Sequence, residues 1–408
     1  MKTERPYPFV TIDARGTKRA QEGHPWVFDN EITAQEGTPE DGALCDVRSP
    51  KGRYLGTGYY NSHSKIRVRL LSQNANDKFD QAFFARRAQY AWDYRKTVMG
   101  PDVDSCRVIF GEADRFPGLT VDKFGDILVT QTLCLGTELR KDWIFPALVQ
   151  AMEAGGQPIR GIYQRNDVKI RELEGLEQNK GWYPLAGKPL PESTQTEIVE
   201  NGIRYLVDFE NGQKTGFFLD QKYNRAAAAR IAPGESVLDC FTHTGSFALN
   251  AAMGGAAHVT AVDVSESAVE MARANAERNG LDGVMECVAA NVFDLLPALE
   301  KEPKRFDFII LDPPAFTKSR KTVHNALAGY KEINYRAMRL LPRGGLLATC
   351  SCSHFATEEK FVAMLHDAAR DAGVQLRQIE ARQQSCDHPI LWGVEETNYL
   401  KFYLFQVV

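Results

Sequence analysis

No stretch of the 408-residue chain approaches the ~18 consecutive apolar residues that a membrane-spanning helix needs. The first residues, Met1-Lys2-Thr3-Glu4-Arg5-Pro6, lack the apolar core of an export signal. A cytoplasmic protein without a membrane partner is therefore expected. The 8 cysteines have no regular spacing, which argues against a disulfide framework and for reduced thiols. Cys350 and Cys352 have no second close cysteine pair to complete a four-ligand metal site, and Cys386-Asp387-His388 is the one other candidate, so no metal is expected. The chain has no G-x-S-x-G elbow, which removes the common hydrolase reading. It also lacks the G-x-G-x-x-G loop that cradles a dinucleotide pyrophosphate. Internal repeats and low-complexity tracts are missing too. The net charge of −4 advertises no polyanion partner. Residues 1–72 nevertheless carry 11 Lys and Arg against 9 Asp and Glu, a balance of +2 that leaves −6 for the rest. A mildly basic first module on an acidic body is compatible with nucleic-acid binding, and equally with scatter in a small sample.

What is present reads as a globular chain of two or three domains, with 43% hydrophobic and 25% charged residues. Residues 1–73 hold short alternating stretches, Leu44–Arg48 and Lys65–Leu71, broken by the turn sequences Pro39-Glu40-Asp41-Gly42 and Ser49-Pro50-Lys51-Gly52. Period-two alternation with frequent turns predicts a small β-rich domain. Residues 74–195 open with a helical pattern, Phe79 to Val98. Strand-like segments at 119–121, 127–131 and 161–164 follow, making a mixed α+β domain that ends in the proline-rich run Tyr183–Pro191. Residues 196–408 alternate strand and helix. Candidate strands are 236–239, 258–263, 285–288, 306–312 and 345–350, and a helix over 266–279 is capped by Ser265 and closed by Gly280. Alternation of this kind predicts an α/β domain with a doubly wound, mostly parallel, Rossmann-like sheet.

Ligands of such sheets bind beyond the carboxyl ends of the strands, where the strand order reverses. The first strand runs into Asp239, Cys240, Phe241, Thr242, His243, Thr244 and Gly245, and the second into Asp263 and Val264. An acid 18 residues after the loop glycine can accept hydrogen bonds from ribose hydroxyls. A loop with a single glycine, flanked by Asp239 and Asp263, suits a sulfonium nucleoside such as S-adenosylmethionine better than a dinucleotide. The plainer reading is that these acids only terminate strands.

The fourth strand runs into Asp312-Pro313-Pro314-Ala315-Phe316. Two prolines supply a rigid loop without amide donors, which aims Asp312 into the crevice and leaves Phe316 to stack on a planar ring. An acid or amide, two prolines and an aromatic are characteristic of enzymes that methylate nucleic-acid bases. The fifth strand ends in Cys350-Ser351-Cys352-Ser353-His354 and should lie beside the fourth. A thiolate there could add to carbon 6 of a pyrimidine and make carbon 5 nucleophilic, with Asp312 holding the ring's amide edge. Either cysteine could instead be a small core residue. The run Lys318-Ser319-Arg320-Lys321 after the loop is expected to grip RNA backbone, or else to be a solvated loop. Arg15, Lys18, Arg19, Lys51, Arg53, Arg67 and Arg69 are further candidates for phosphate contacts, whereas Trp26 is expected to pack.

Together these residues resemble the bacterial 23S ribosomal RNA methyltransferases built from a PUA domain, a central α+β domain and a Rossmann-like methyltransferase. The resemblance covers nearly the whole chain. It is carried by Gly23-His24-Pro25-Trp26-Val27-Phe28, Gly111–Leu119, Tyr163–Val168, Gly212–Gln221, Gly329–Asn334, Ser351-Cys352-Ser353 and Asp387-His388-Pro389. It implies S-adenosyl-L-methionine as cofactor, held around Asp220, Gln221, Arg225, Asp239, Asp263 and Asp312, with Phe241, Thr242, Gly245 and Val264 in the same loops. It places the nucleophile of the cytosine-5 enzymes at Cys352. Substrate contacts would come from Pro313, Pro314, Phe316, Lys318, Arg320, Lys321 and His388. Where the family often has aspartates after the third strand, this chain has Ala290-Asn291, and the side-chain carbonyl of Asn291 can serve the adenine amino group. Enzymes of this build also methylate guanine at nitrogen 7, which needs no thiol, so that reading stays open, as does a non-catalytic RNA-binding assembly factor. The PUA-type domain fits a homodimer by resemblance alone.

Overall fold

The alternating residues of the first 72 positions do form a sheet. In the computed structural model, which describes residues 5–302, 306–317 and 319–408, six strands pair in the order 26–28, 66–72, 54–60, 44–48, 9–12 and 32–36. Val10, Ile12, Val27, Val47, Val68 and Leu70 point to one buried side and make its core. Trp26 packs, as its setting in a small β domain predicts: it is half-buried and its Nε1 donates to Glu112 Oε1 at 2.9 Å. The predicted helix spans Gln81–Met99 and starts two residues later than expected, because the Asp80 carboxylate caps it by accepting from Phe83 N at 2.9 Å. A five-stranded sheet follows, in the order 179–183, 161–166, 127–132, 119–124 and 105–110.

Internal contacts gather these two sheets into one unit, running through Ile198 and including Val207–Leu219 and Cys386–Thr397. The last segment joins because Asp387 Oδ2 accepts from Arg107 N at 2.7 Å and the buried Arg95 guanidinium donates to the Asp387 carbonyl at 2.9 Å. His388 is held with it, its Nδ1 2.9 Å from Asp387 Oδ1 and its ring 5.4 Å from that of Phe110.

The second unit comprises Val199–Leu206, Asp220–Ser385 and Asn398–Val408. Its strands are β1 (Ser236–Cys240), β2 (His258–Asp263), β3 (Met285–Ala289), β4 (Phe308–Leu311), β5 (Leu346–Ser351), β6 (Leu376–Arg382) and β7 (Lys401–Val407). Among the described residues they pair in the order β3-β2-β1-β4-β5-β7-β6. The first five are parallel, and β7 runs antiparallel to both β5 and β6. β6 and β7 go beyond the five strands the sequence pattern predicted. The strand order reverses at β1, so the crevice opens between the ends of β1, β2 and β4. The helices that matter for the crevice are α1 (Lys222–Arg230), α2 (Ser246–Met253), α3 (Glu266–Arg278), α4 (Val292–Leu299) and α5 (Val323–Leu340). Ser265 caps α3 as predicted, its hydroxyl accepting from Ala268 N at 3.3 Å. Burial of Leu238, Val262, Ile309, Leu311, Ile333 and Phe361 joins the sheet to its helices in one core, the main stabilising term for such a layered fold.

Candidate active site

β1 delivers Asp239 to the base of the crevice. The residue is fully buried, one oxygen accepting from Thr242 Oγ1 at 2.5 Å and from Ala248 N at 2.9 Å. The other oxygen has no hydrogen-bond partner among the described residues. Burial is the main cause that pushes this carboxyl up to about 7. A buried acceptor left without a donor is costly unless a ligand completes it. The loop beyond it turns sharply: Phe241 and His243 hold positive φ of 65° and 50°, a region that side chains avoid and that is kept mainly where function needs it. Gly245 completes the turn at φ 84°, and a Cβ there would come within 3.0 Å of Ala272 on α3. A side chain at this position would need Ala272 to give by a few tenths of an ångström.

Asp263, at the end of β2, accepts from His243 N at 2.9 Å and from Ser265 N at 3.0 Å, one bond to each oxygen. A carboxylate offers about four acceptor positions, so capacity for two hydroxyl donors remains. Val264 beside it is 73% exposed, and Phe293, at the start of α4, is 38% exposed. Large apolar side chains left open on both flanks of a crevice have the chemistry to wall a planar ring. Asn291 is the N-cap of α4: its carbonyl accepts from Phe293 N at 3.1 Å and its amide donates to Asp294 at 2.9 Å. Capping therefore already occupies part of the acceptor expected to face an adenine.

β4 delivers Asp312. Burial, with the charge of Asp220 second, pushes its carboxyl up to about 7. Its Oδ1 accepts from Gln221 Nε2 at 3.1 Å. Gln221 in turn accepts from Asn224 at 2.6 Å, and Asn224 accepts from Arg382 on β6 at 3.0 Å. This relay fixes the orientation of the Gln221 amide. Asp220 Oδ2 accepts from the Tyr399 hydroxyl at 2.6 Å. Arg225 is fully buried on α1 and bidentate to Glu200, at 2.7 and 2.9 Å. A pair of that geometry anchors α1, which carries Asn224 and follows directly on Gln221.

Pro313 is buried and Pro314 exposed after Asp312. Phe316 leans on Tyr330 of α5, ring centroids 4.6 Å apart, and on Phe293 and Phe241 at 5.8 and 6.5 Å. The expected stacking residue is thus one member of an aromatic cluster, half-buried rather than free. Lys321 is exposed; Lys318 and the side chain of Arg320 lie outside the described residues.

The two cysteines separate. Cys350 is fully buried within β5, and its thiol is raised well above the usual range, chiefly by burial. Cys352 lies just past the strand end, half-buried, with Sγ 4.0 Å from the Pro313 carbonyl. β4 and β5 are paired with Leu311 opposite Thr349, which brings the Asp312 loop and the Cys352 loop together. One residue near them was not foreseen. Lys401, buried at the start of β7, donates to the Ser353 carbonyl at 2.7 Å and the Tyr399 carbonyl at 2.9 Å. Burial lowers its ammonium to about 8, against the opposing pull of the Cys352 thiol. A lone lysine opening the apolar run Lys401-Phe402-Tyr403-Leu404-Phe405 was the available signal. His354 also lies in this loop, and its Nδ1 has no partner among the described residues.

Several basic residues expected to contact RNA are committed within the first unit. Arg69 pairs with Glu112 and Glu174 at 3.1 and 3.0 Å, Arg19 donates to the Trp26 carbonyl at 2.7 Å, and Arg67 donates to the Asn61 carbonyl at 3.0 Å. Arg15, Lys18, Lys51 and Arg53 are exposed. Buried His388 belongs to the first unit. No group of three or more potential metal ligands occurs among the described residues, and none of their helices is long and apolar enough to cross a membrane.

Comparison with known proteins agrees with this geometry. Residues 10–73 match the model of a PUA-like domain, and residues 177–406 match that of the S-adenosylmethionine-dependent methyltransferases. The chain is 38% identical over 408 residues to the ribosomal RNA large subunit methyltransferase I of Klebsiella pneumoniae (strain 342), covering 100% of both chains. It is 39% identical over 387 residues to the protein of the same name from Escherichia coli (strain K12), covering 94% of this chain and 96% of that one. Among solved structures, a SAM-dependent methyltransferase from Streptococcus mutans shares the fold with a TM-score of 0.81 at 24% identity, over 98% of this chain and 100% of that one. A methyltransferase complexed with SAH aligns with a TM-score of 0.83, also at 24% identity and with the same coverage. Buried Asp239 at the end of β1, Asp263 at the end of β2, Asp312 after β4 and whole-length identity above a third lead to one conclusion: the chain belongs to the S-adenosylmethionine-dependent methyltransferases, in the ribosomal RNA large subunit methyltransferase I family.

Proposed function

We propose that this chain methylates carbon 5 of a cytosine in 23S ribosomal RNA, in the cytoplasm, through a covalent adduct with Cys352. Residues 1–73 would serve as an RNA-binding module, 74–195 as a central domain and 196–408 as the catalytic domain. The observation that carries the reading is the division of labour between the two cysteines: Cys350 is sealed in the strand, whereas Cys352 sits at its open end beside the Asp312 loop.

S-adenosylmethionine, when bound, supplies an electrophilic methyl group on a positively charged sulfur. The residues that would hold it are Asp263 for the ribose hydroxyls, Val264 and Phe293 against the base, and the carboxyls of buried Asp239 and half-buried Asp312, whose acceptors suit a cationic ligand. Gln221, fixed by Asn224, orients Asp312. Cys352 then adds to carbon 6 of the cytosine, which makes carbon 5 nucleophilic. Asp312, ionised beside the cationic cofactor, accepts from the cytosine amino group and so holds the ring edge while the adduct forms. Once carbon 5 carries its methyl group, a base takes its proton, that electron pair re-forms the C5–C6 double bond, and the Sγ–C6 bond breaks with Cys352 leaving as thiolate. Lys401, whose positive charge lies near Cys352, favours that thiolate. The base must be out of its stack for any of this, at a cost of a few kcal/mol.

The test is trapping. In rRNA carrying 5-fluorocytidine no carbon-5 proton can leave, so the adduct should persist and co-migrate with protein on a denaturing gel in the presence of cofactor. Full methyl transfer to normal rRNA with no trapped adduct would refute the covalent reading.

A further inference from the structure

Two of the sequence blocks singled out above, Gly23–Phe28 and Gly111–Leu119, take no part in the methyl-transfer site. Both reach the same place within the first unit. His24 from one and Arg115 from the other line a polar pocket of about 230 Å³, together with Ser72, Gln73 and Arg87. The pocket therefore draws on the six-stranded sheet, the helix Gln81–Met99 and the turn that precedes strand 119–124.

Two guanidinium groups share this pocket, and neither has a carboxylate bonded to it. Arg115 is half-buried at the end of a short turn, with a positive φ of 59°. Its side chain makes no hydrogen bond or ion pair among the described residues. The acids next to it in sequence are committed elsewhere: Glu112 accepts from Trp26 and Arg69 at 2.9 and 3.1 Å, and Asp114 accepts from Arg95 and from Phe110 N. Arg87 donates to a carbonyl, that of Leu71, at 3.2 Å. Asp77, the acid whose field acts on Arg87, accepts from Ser72 Oγ at 2.6 Å and lies 3.7 Å from Arg86. Burial lowers both guanidinium groups from their ordinary range, and the charge of Arg115 lowers Arg87 further. Like charges held together in partial burial are unfavourable until an anion joins them. The planar, multi-donor guanidinium fork matches the oxygens of a phosphate. His24 closes one side, its ring fixed between Trp26 N at 3.2 Å and Glu396 at 3.3 Å.

We propose that this pocket is a binding site for a backbone phosphate of the RNA substrate, held by the guanidinium groups of Arg87 and Arg115. The assignment rests on the reading of the chain as an rRNA-modifying enzyme, and the RNA source is favoured because the pocket borders the PUA-like domain. A backbone contact of this kind positions the RNA and carries no sequence information.

The experiment uses the full-length protein as wild type, Arg87→Gln, Arg115→Gln and Arg115→Lys. Affinity for unmodified 23S rRNA is measured by filter binding across a salt series, and S-adenosylmethionine affinity by calorimetry. Each glutamine variant should bind rRNA roughly 3- to 10-fold more weakly, with a salt slope shallower by roughly 0.7–0.9 for the lost phosphate contact. Cofactor affinity should be unchanged, which shows an intact fold, and Arg115→Lys should recover much of the loss. Unchanged rRNA affinity and slope in both glutamine variants overturn the proposal. A thermal shift with inorganic phosphate that needs Arg115, without any change in rRNA binding, marks a free-phosphate site and overturns the RNA assignment. Wild type that methylates rRNA while the variants bind it equally well sinks the pocket and leaves the function standing. Arginine-dependent rRNA binding without methyl transfer sinks the function and leaves the pocket.

Discussion

The carboxyls of buried Asp239 and half-buried Asp312 should make cofactor affinity depend on pH in a definite direction. Asp239 and Asp312 are each pushed up to about 7, chiefly by burial. A sulfonium ligand favours their ionised forms, so binding should release protons near neutral pH, and affinity should fall as pH drops below 7. For one carboxyl that must ionise, 1.5 pH units below its pKa costs roughly 30-fold in affinity, about 2 kcal/mol. Calorimetry from pH 5.5 to 8.5, in buffers of different ionisation enthalpy, reads both the affinity and the proton count. S-adenosylhomocysteine, which lacks the positive sulfur, should show a weaker dependence, and Asp312→Asn should flatten the curve for S-adenosylmethionine. The cofactor-free protein should behave oppositely. Folded pKa values above the unfolded 3.8 mean that the neutral acids' contribution to stability is complete below that value and is lost as pH rises through 7. The melting temperature without cofactor should therefore decline between pH 5 and 8, apart from other groups that Asp239→Asn and Asp312→Asn separate. Affinity for S-adenosylmethionine that is flat across this range, with no proton released, would refute the role given to both acids.

Other consequences are as direct. Arg225→Ala leaves the buried Glu200 carboxylate without its bidentate partner and should destabilise the protein by about 3–5 kcal/mol in denaturant unfolding; a loss under 1 kcal/mol would contradict the anchoring role. Lys401→Met removes the cation near Cys352, so the apparent pKa of Cys352 alkylation by iodoacetamide should rise, with methyl transfer at pH 7 slowed accordingly. An unchanged alkylation profile would exclude that influence. Phe316→Ala opens the cluster with Tyr330 and Phe293 and should weaken rRNA methylation while leaving cofactor affinity within about twofold; equal loss of both would assign Phe316 to cofactor packing instead.

Much of the catalytic unit was legible in the sequence because its signals are local. Strands and helices alternate with their own caps, and Asp312-Pro313-Pro314-Ala315-Phe316 fixes a loop by its own chemistry. The parallel pairing of β4 and β5, which puts Cys352 beside that loop, followed from the topology alone. What stayed hidden depends on distant partners. The pairing of Arg69 with Glu174 and of Arg225 with Glu200 joins residues far apart in sequence, so a tally of basic residues could not tell committed from available cations. The packing of Cys386–Thr397 with the first unit depends on Arg95 and Arg107, almost 300 positions earlier. β6 escaped because, as a polar edge strand, Leu376–Arg382 alternates weakly, and Lys401 looked like an ordinary strand-end charge until its burial was visible.

The central claim is tested most directly by rRNA made in cells that lack this protein. Such rRNA, incubated with labelled S-adenosylmethionine and either wild type or Cys352→Ala, is digested to nucleosides and analysed by mass spectrometry. The account predicts 5-methylcytidine from wild type and no product from Cys352→Ala, with cofactor binding retained in both. The appearance of 7-methylguanosine, together with an active Cys352→Ala enzyme, would contradict it.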